Sequence, residues 1–198
     1  MGVVFVSVSA TDEMIDRVHE QPALIWLLYS PDDVDGYLAE IGANKKVGLL
    51  GKLFGKTEVI PPDPLPTFNY MSGQRLELDL DKSWDGINYC LKKLLDTGVI
   101  NIFENGKKVG DVEVGYGPAK TFKSNKVRKL FRDYKDIDEQ ELSSALIPDE
   151  MKNVYPERLW QDWVIDDARK YMLEHYRAMM AYLKQVSEIG LGVIVVYT

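Results

Sequence analysis

The stretch "VIVVYT", at residues 193–198, decides how this chain is expected to fold. An unbroken run of β-branched residues is typical of a strand that is buried on both faces. Gly190 and Gly192 come just before it and are placed to end the preceding helix. The stretch therefore predicts a buried strand at the end of the sequence.

The opening residues predict a second buried strand and a helix. Val3 to Val8 form an apolar strand-like run, and Ser9 or Thr11 is placed to cap a helix. Further helices are predicted at about 23–28 and 37–41. The segment at about 42–67 is rich in Lys, Gly and Pro, which predicts an irregular basic excursion on the surface.

The remaining elements follow from periodicity and turn signals. The alternation in "RLELDL" at 75–80 predicts a strand, and Asn105-Gly106 lies between two strand-like runs and predicts a hairpin. Ser124 and Asp138 are expected to cap two helices. One long helix is predicted over about 157–187, with its apolar residues near one face.

Composition limits the class of protein. The 198 residues are 45% hydrophobic, which is enough for one substantial core and predicts a single domain over 1–198. A net charge of -7 argues against nucleic acid as a partner. The one cysteine cannot form an internal disulfide, and no segment approaches the length of a membrane span. We therefore expect a cytoplasmic protein of bacterial type, with no membrane partner.

Residues 79–90, "DLDKSWDGINYC", come close to a calcium loop. Counting from Asp81, acids and a serine fall at the right places and Gly86 is sixth, but position twelve is Lys92 and not Glu. No metal site is predicted. The geometric interpretation is a turn in which Asp81 or Ser83 caps a helix with apolar residues at helical spacing.

Two basic segments have ordinary structural explanations. "GLLGKLFGKT" at 48–57 lacks the glycine spacing of a phosphate loop, so it predicts an exposed loop and no nucleotide site. Its lysines alternate with apolar residues that either dock on the body or contact a partner or membrane. Residues 120–135 hold seven basic side chains with apolar residues at helical spacing, which predicts a solvated helix face.

Candidates for catalysis are few. His19 and His175 are the only histidines, and neither belongs to a metal-ligand pattern. His175 falls on an apolar stripe, which is typical of an interior or boundary histidine, and Cys90 is placed for packing. These features favour a protein without a cofactor and favour binding over catalysis.

Several segments resemble the YfbM-like family of small bacterial proteins in their order along nearly the whole chain. They are "MGVVFVSVSATDEMIDRV" (1–18), "GKLFGK" (51–56), "LDLDKSWDGINYCL" (78–91), "GYGPAKTF" (115–122), "VYPERLW" (154–160) and "VIVVYT". The resemblance implies an α/β fold, a single-domain three-layer α/β sandwich with a mixed sheet that contains the N- and C-terminal strands. It implies no established activity. Relatives often have histidine after the Trp of the third segment, where this chain has Asp85 and Asn88.

The candidate ligand-binding residues are those whose type exceeds what packing requires. Loops on a rigid scaffold commonly carry binding groups, and two loops stand out. The set comprises Lys82, Trp84, Asp85, Asn88, Tyr116 and Lys120. The alternative is that Trp84 is a core anchor and Lys82 an exposed cation.

Three functions compete at this point. The first is a non-catalytic protein that binds another protein or a small anionic ligand. The second is a carboxylate-dependent enzyme that uses Asp85 or Asp167, which requires burial or a like charge to tune the carboxyl. The third is a toxin-neutralising or immunity-type interaction protein, suggested by the net charge alone.

Overall fold

A computed structural model describes residues 2–43 and 60–198. Its sheet has the strand order β2-β1-β5-β4-β3, so the strand from "VIVVYT" lies in the centre. β1 pairs with β5 along its whole length, from Phe5 opposite Tyr197 to Ala10 opposite Gly192. The prediction that the N- and C-terminal strands lie in the sheet is confirmed, and the structure shows that they are neighbours. The strands are β1 (Phe5–Ala10), β2 (Glu77–Asp79), β3 (Lys107–Glu113), β4 (Pro118–Phe122) and β5 (Gly192–Tyr197).

The described residues form eight α-helices, and three short 3₁₀ turns connect some of them. None of these helices is long and apolar enough to cross a membrane. The 3₁₀ turns are Pro22–Leu24, Asp81–Ser83 and Pro148–Glu150. The helices are α1 (Asp12–Glu20), α2 (Ile25–Tyr29), α3 (Val34–Glu40), α4 (Trp84–Leu94), α5 (Ser124–Tyr134), α6 (Glu139–Ala145), α7 (Leu159–Asp162) and α8 (Ile165–Glu188).

The sheet separates two hydrophobic clusters, and the alternation of side chains along β5 shows how. Val193 and Val195 belong to a cluster with residues of α4, α5, α6 and α8. Ile194 and Val196 face the opposite way and belong to a cluster with α1, α2 and α3. Helices therefore cover both faces of the sheet, which confirms the three-layer α/β arrangement.

The prediction of a mixed sheet was wrong, because every strand pair in the described part of the chain is antiparallel. An unbroken apolar strand is typical of parallel sheets, where helices cover both faces. Here β5 is equally buried in an antiparallel sheet because helices lie above and below it. The apolar run reports burial on two faces and not strand direction.

The hairpin predicted at Asn105-Gly106 was also wrong. The hairpin joins β3 to β4, and Gly117 takes a positive φ of 115° in the connection between them. Asn105 instead closes a turn, in which its side chain accepts a hydrogen bond from the Asn101 backbone N–H at 2.7 Å. Ile102 and Phe103 are both buried, which two successive residues of a half-exposed strand would not be.

The helix ends agree with the sequence in two places and differ in three. Thr11 and Asp138 cap α1 and α6 through their side chains, as predicted. Ser83 makes no cap bond, because its hydroxyl donates to the Leu80 carbonyl inside a 3₁₀ turn. Ser124 lies inside α5, and its hydroxyl donates to Asp12. The long helix predicted from 157 is two helices, since extended residues at 163–164 separate α7 from α8.

Candidate functional site

A recess of about 540 Å³ opens where the end of β5 meets the start of α4. Four of the six candidate residues line it: Trp84 and Asn88 from α4, Tyr116 from the β3–β4 connection, and Lys120 from β4. The two pairs are far apart in sequence, and they meet because Trp84 of α4 contacts Tyr197 of β5, which pairs with the strand that carries Lys120. The other lining residues are Val3, Phe103, Glu104, Tyr155 and Tyr197.

Aromatic rings form most of the wall. The indole of Trp84 stacks on Tyr155 with centroids 5.9 Å apart, and it meets Tyr197 edge-on at 4.9 Å. Trp84 Nε1 donates to the Val3 carbonyl at 3.1 Å, while the Val3 backbone N–H donates to the Tyr155 hydroxyl at 2.6 Å. The backbone at Val3, just before β1, thus holds both rings in place, and the apolar wall is fixed without a ligand.

Lys120 is the cation of the recess. Its Nζ donates to the carbonyls of Phe103 and Glu104 at 3.2 and 3.1 Å, and it lies 5.9 Å from the centre of the Tyr197 ring. Burial lowers the pKa of Lys120, Lys108 lowers it further, and the Glu104 carboxylate opposes both. An ammonium group has three protons to donate, so one remains for a ligand.

Glu104 stands on the rim of the recess with its charge already paired. It forms an ion pair with Lys92, and this contact, together with donation from Asn88 and the nearby Lys120, lowers the pKa of Glu104. Burial raises the pKa of Tyr197, whose hydroxyl donates to the Phe103 carbonyl at 2.7 Å. The residues at 103 and 104 are therefore tied to the recess by backbone and side chain.

Asn88 and Asp85 belong to a network beneath the recess. Asn88 is 7% exposed, its amide donates to Asp85 at 3.3 Å, and its carbonyl oxygen accepts from Asn101 at 2.8 Å. The second oxygen of Asp85 accepts from the Tyr155 backbone N–H at 2.9 Å. Asp85 thus fixes the segment that carries Tyr155 and does not line the recess.

Lys82 is the other candidate that the structure leaves outside. It lies in the 3₁₀ turn before α4, where its side chain approaches the backbone of Gly2. Trp84 is half-buried: it packs against the core cluster and also lines the recess. Tyr116 is 62% exposed and forms the outer rim.

Sequence reasoning missed five lining residues. The sequence predicts a strand at Phe103, where the structure has a turn, so the direction of its side chain was not predictable. Tyr155 was visible only as part of "VYPERLW", with nothing to connect it to Trp84. Lys120 lies opposite Val195, and Tyr197 is two residues further along β5, so Tyr197 and Lys120 share one face of the sheet. Strand pairing was therefore the one signal that could have placed Tyr197 near Lys120.

The acids of "DLDKSWDGINYC" serve the turn. Asp79 accepts from the Asp81 backbone N–H at 2.7 Å, and Asp81 accepts from the Tyr171 hydroxyl at 2.7 Å. Together with the two bonds of Asp85, each acid has its own protein partner. Across residues 2–43 and 60–198, no group of three or more His, Cys, Asp or Glu side chains is placed to hold a metal ion.

Other predicted features lie away from the recess. Val127, Leu130 and Tyr134 lie on the buried face of α5. The basic residues of this helix therefore lie on its solvated face, as predicted. His175 donates from Nδ1 to the Tyr171 carbonyl, as a boundary histidine would. Cys90 is buried and its pKa is raised to about 12 by burial, which agrees with packing. The loop lysines Lys45, Lys46, Lys52 and Lys56 lie outside the described residues.

Comparison with known proteins gives a family. The model of the domain of unknown function DUF1877 matches residues 1–196, so the chain belongs to this family. A solved structure with the same fold is that of YfbM, a protein of unknown function from Escherichia coli. The two share 15% identity with a TM-score of 0.52, covering 98% of this chain and 99% of that one. The predicted YfbM-like resemblance is confirmed; none of the curated proteins matches this sequence.

Proposed function

We propose that this protein binds a small anionic ligand with a flat apolar part, held in the recess between Trp84 and Lys120. The observation that supports this most is that Trp84, Asn88, Tyr116 and Lys120 line one concavity. Pockets for small molecules typically combine apolar walls with a few fixed polar groups. This recess has that composition.

The flat apolar part is supported by the rings. Trp84 and Tyr155 are stacked and tied to the Val3 backbone, so their faces and edges are ordered before a ligand arrives. Ordered aromatic walls favour binding because little side-chain entropy is lost on association. A planar group placed against them gains aromatic contact at small cost.

The anionic part is supported by Lys120. Two backbone carbonyls fix its ammonium group without neutralising its charge, and the nearby Glu104 is already paired with Lys92. A charge-assisted hydrogen bond from the remaining proton is stronger than a neutral one. The site therefore suits one negative group and not a large polyanion.

Binding is better supported than a carboxylate-dependent reaction. Both oxygens of Asp85 accept hydrogen bonds from the protein, so this carboxyl serves the scaffold. Asp167 is exposed in the first turn of α8, where nothing among the described residues buries it. Neither shows the burial that tunes a carboxyl for acid or base work.

The test is a calorimetric titration with 2-naphthoate, a flat aromatic carboxylate. Replacing Lys120 with Met keeps most of the length of the side chain and removes its charge, and we expect affinity to fall by about tenfold. Tyr116→Ala, at an exposed rim position, is expected to weaken binding by a few-fold without affecting folding. Lys82→Met is the matched control, since Lys82 lies outside the recess, and should bind like the wild type.

Equal affinity of the wild type and the Lys120→Met variant would contradict the proposal. So would loss of binding in the Lys82→Met variant of the same size as in Lys120→Met, because that result would report overall charge. Thermal unfolding of each variant shows whether it is folded before the affinities are compared. Failure of naphthoate to bind the wild-type protein would also contradict the proposal.

A further inference from the structure

A second recess of about 470 Å³ has its own set of lining residues, although β4 and the segment before β3 contribute to both recesses. It is formed by α1, the start of β3, the end of β4 and the start of α5, and it shares no lining residue with the recess at Trp84. Two consecutive residues of β4 line different recesses: Lys120 lines the first and Thr121 lines the second. The polar residues that line it are Asp16, His19, Asn105, Lys107, Thr121, Lys123, Asn125 and Lys126.

The charge of this recess is opposite to that of the chain. Three lysines line it, and one carboxylate, Asp16, accompanies them. Asp16 is paired with Lys123 at 2.6 Å, whereas Lys107 and Lys126 have no ion pair within the described residues. Two ammonium groups without an ion pair give the lining of this recess an excess of positive charge, although Asp12 and Glu13 also lie near Lys123.

The imidazole of His19 has a defined hydrogen-bonding state. Its Nε2 lies 2.8 Å from the Thr121 hydroxyl, and that hydroxyl donates to the Lys107 carbonyl at 3.2 Å. Because the hydroxyl proton is used on the carbonyl, the hydroxyl oxygen accepts from His19, which fixes a proton on Nε2. Nδ1 then holds the lone pair in the neutral imidazole and takes the second proton when the ring becomes charged.

The charged groups around His19 all come from the elements that form the recess. They are Asp16 on α1, Lys107 on β3, and Lys123 and Lys126 at the start of α5. Burial lowers the pKa of His19, Lys107 and Lys123 lower it further, and Asp16 opposes them. An anion among these lysines would reverse their effect, so His19 is a natural reporter of anion binding.

We propose that this second recess binds the phosphate group of a small phosphorylated ligand, held by Lys107, Lys126 and His19. A phosphate monoester carries about -1.5 to -2 charges at neutral pH, which matches two unpaired lysines better than a carboxylate does. The side-chain amides of Asn105 and Asn125 add donors at the same recess. Ile15, Ile100 and Phe122 supply an apolar wall for the rest of the ligand.

The first turn of α5 is not itself the site. Asp12 already accepts hydrogen bonds from the backbone N–H and hydroxyl of Ser124 at 2.8 Å each. The donors available to a phosphate are therefore side chains from three different elements. A phosphorylated molecule, and not a long polyanion, fits a bounded recess on an otherwise acidic protein.

The two histidines of the chain make the test direct. We would follow the ring protons of His19 and His175 by NMR while phenyl phosphate is added at constant ionic strength. His19 should shift saturably and its pKa should rise, because the phosphate favours the charged imidazole. His175, which is bonded to the Tyr171 carbonyl on α8, should not change.

Variants separate this site from the first recess and from general charge effects. Lys107→Met combined with Lys126→Met should weaken phenyl phosphate binding by at least about tenfold. Lys135→Met is the matched control, because Lys135 lies at the end of the same helix and outside the recess. Lys120→Met should leave phenyl phosphate binding unchanged, whatever it does to naphthoate.

Four outcomes would overturn the proposal. The first three are the absence of a saturable His19 shift, equal shifts of both histidines, and full retention of binding in the double lysine variant. Unchanged His175 signals in every variant would show that the fold is intact. Benzoate provides the final comparison: equal binding of benzoate and phenyl phosphate would contradict a site for phosphate.

Discussion

Gly86 is the residue at which the sequence suggested a metal loop and the structure shows helix packing. A methyl group added to Gly86 would lie 2.2 Å from Cζ2 of Trp160, which is fully buried. Gly86→Ala should therefore lower the free energy of unfolding by about 2 kcal/mol, although alanine favours the helix by about 1 kcal/mol. Urea denaturation of the two proteins measures the difference.

The double variant with Trp160→Leu tests the cause. Leucine is smaller than the indole, so Gly86→Ala should cost less in that background than in the wild type. The two substitutions are in contact, and a coupling energy between them is expected. An equal loss in both backgrounds would show that the ring is not the obstacle, and that glycine is needed for another reason.

Arg75 shows how one side chain joins two elements. It donates to the Leu28 and Tyr29 carbonyls at 3.0 and 2.9 Å, where α2 ends, and it pairs with Glu77 on β2 at 2.9 Å. Carbonyls at a helix end lack partners within the helix. The guanidinium group supplies them and fixes α2 against the edge of the sheet.

Arg75→Ala should lower the free energy of unfolding by about 1–3 kcal/mol, because it leaves two carbonyls without these donors. Glu77→Ala is the matched control, since it removes the ion pair and keeps both carbonyl bonds. An exposed ion pair contributes about 0–1 kcal/mol, so the control should change little. Equal losses in the two variants, measured by urea denaturation, would assign the effect to the ion pair.

The helices and strands that could be predicted are those whose local sequence signal agrees with how their residues are buried in the core. Thr11 begins α1 where its cap and apolar spacing agree, and β5 is buried as its run of β-branched residues requires. The hairpin at Asn105-Gly106 failed because burial of Ile102 and Phe103 outweighs a two-residue turn signal. The prediction of strand direction failed, because the apolar content of a strand depends on its coverage by helices and not on the direction of the strands beside it.

At the scale of the molecule, the site was only partly predictable. Residue type singled out Trp84, Asn88, Tyr116 and Lys120, and the sheet brings them to one recess. Residue type pointed equally to Lys82 and Asp85, but the 3₁₀ turn and the start of α4 direct them elsewhere. The Tyr155 backbone N–H donates to Asp85, which is 70 residues away in the sequence. No local sequence pattern predicts such a contact.

The distribution of tyrosines over the whole molecule gives a prediction for alkaline pH. Burial raises the pKa of Tyr134, Tyr182 and Tyr197, and it raises that of Tyr176 to about 12. In an unfolded chain these groups lose their protons near pH 10, at roughly the ordinary value for tyrosine. Above about pH 10 the native state therefore holds more protons than the unfolded state, and stability must fall as pH rises. This contribution is fully present below that pH.

Urea denaturation at about pH 8 and about pH 10.5 should thus show a clear loss of stability at the higher pH. The near-ultraviolet absorbance of tyrosinate should rise together with unfolding, since the buried hydroxyls ionise only when the core opens. Tyr176→Phe removes one of the four ionising groups and should make the loss smaller. Equal stability at both pH values would mean that these hydroxyls ionise in the folded protein, contrary to their burial in the cluster that covers one face of the sheet.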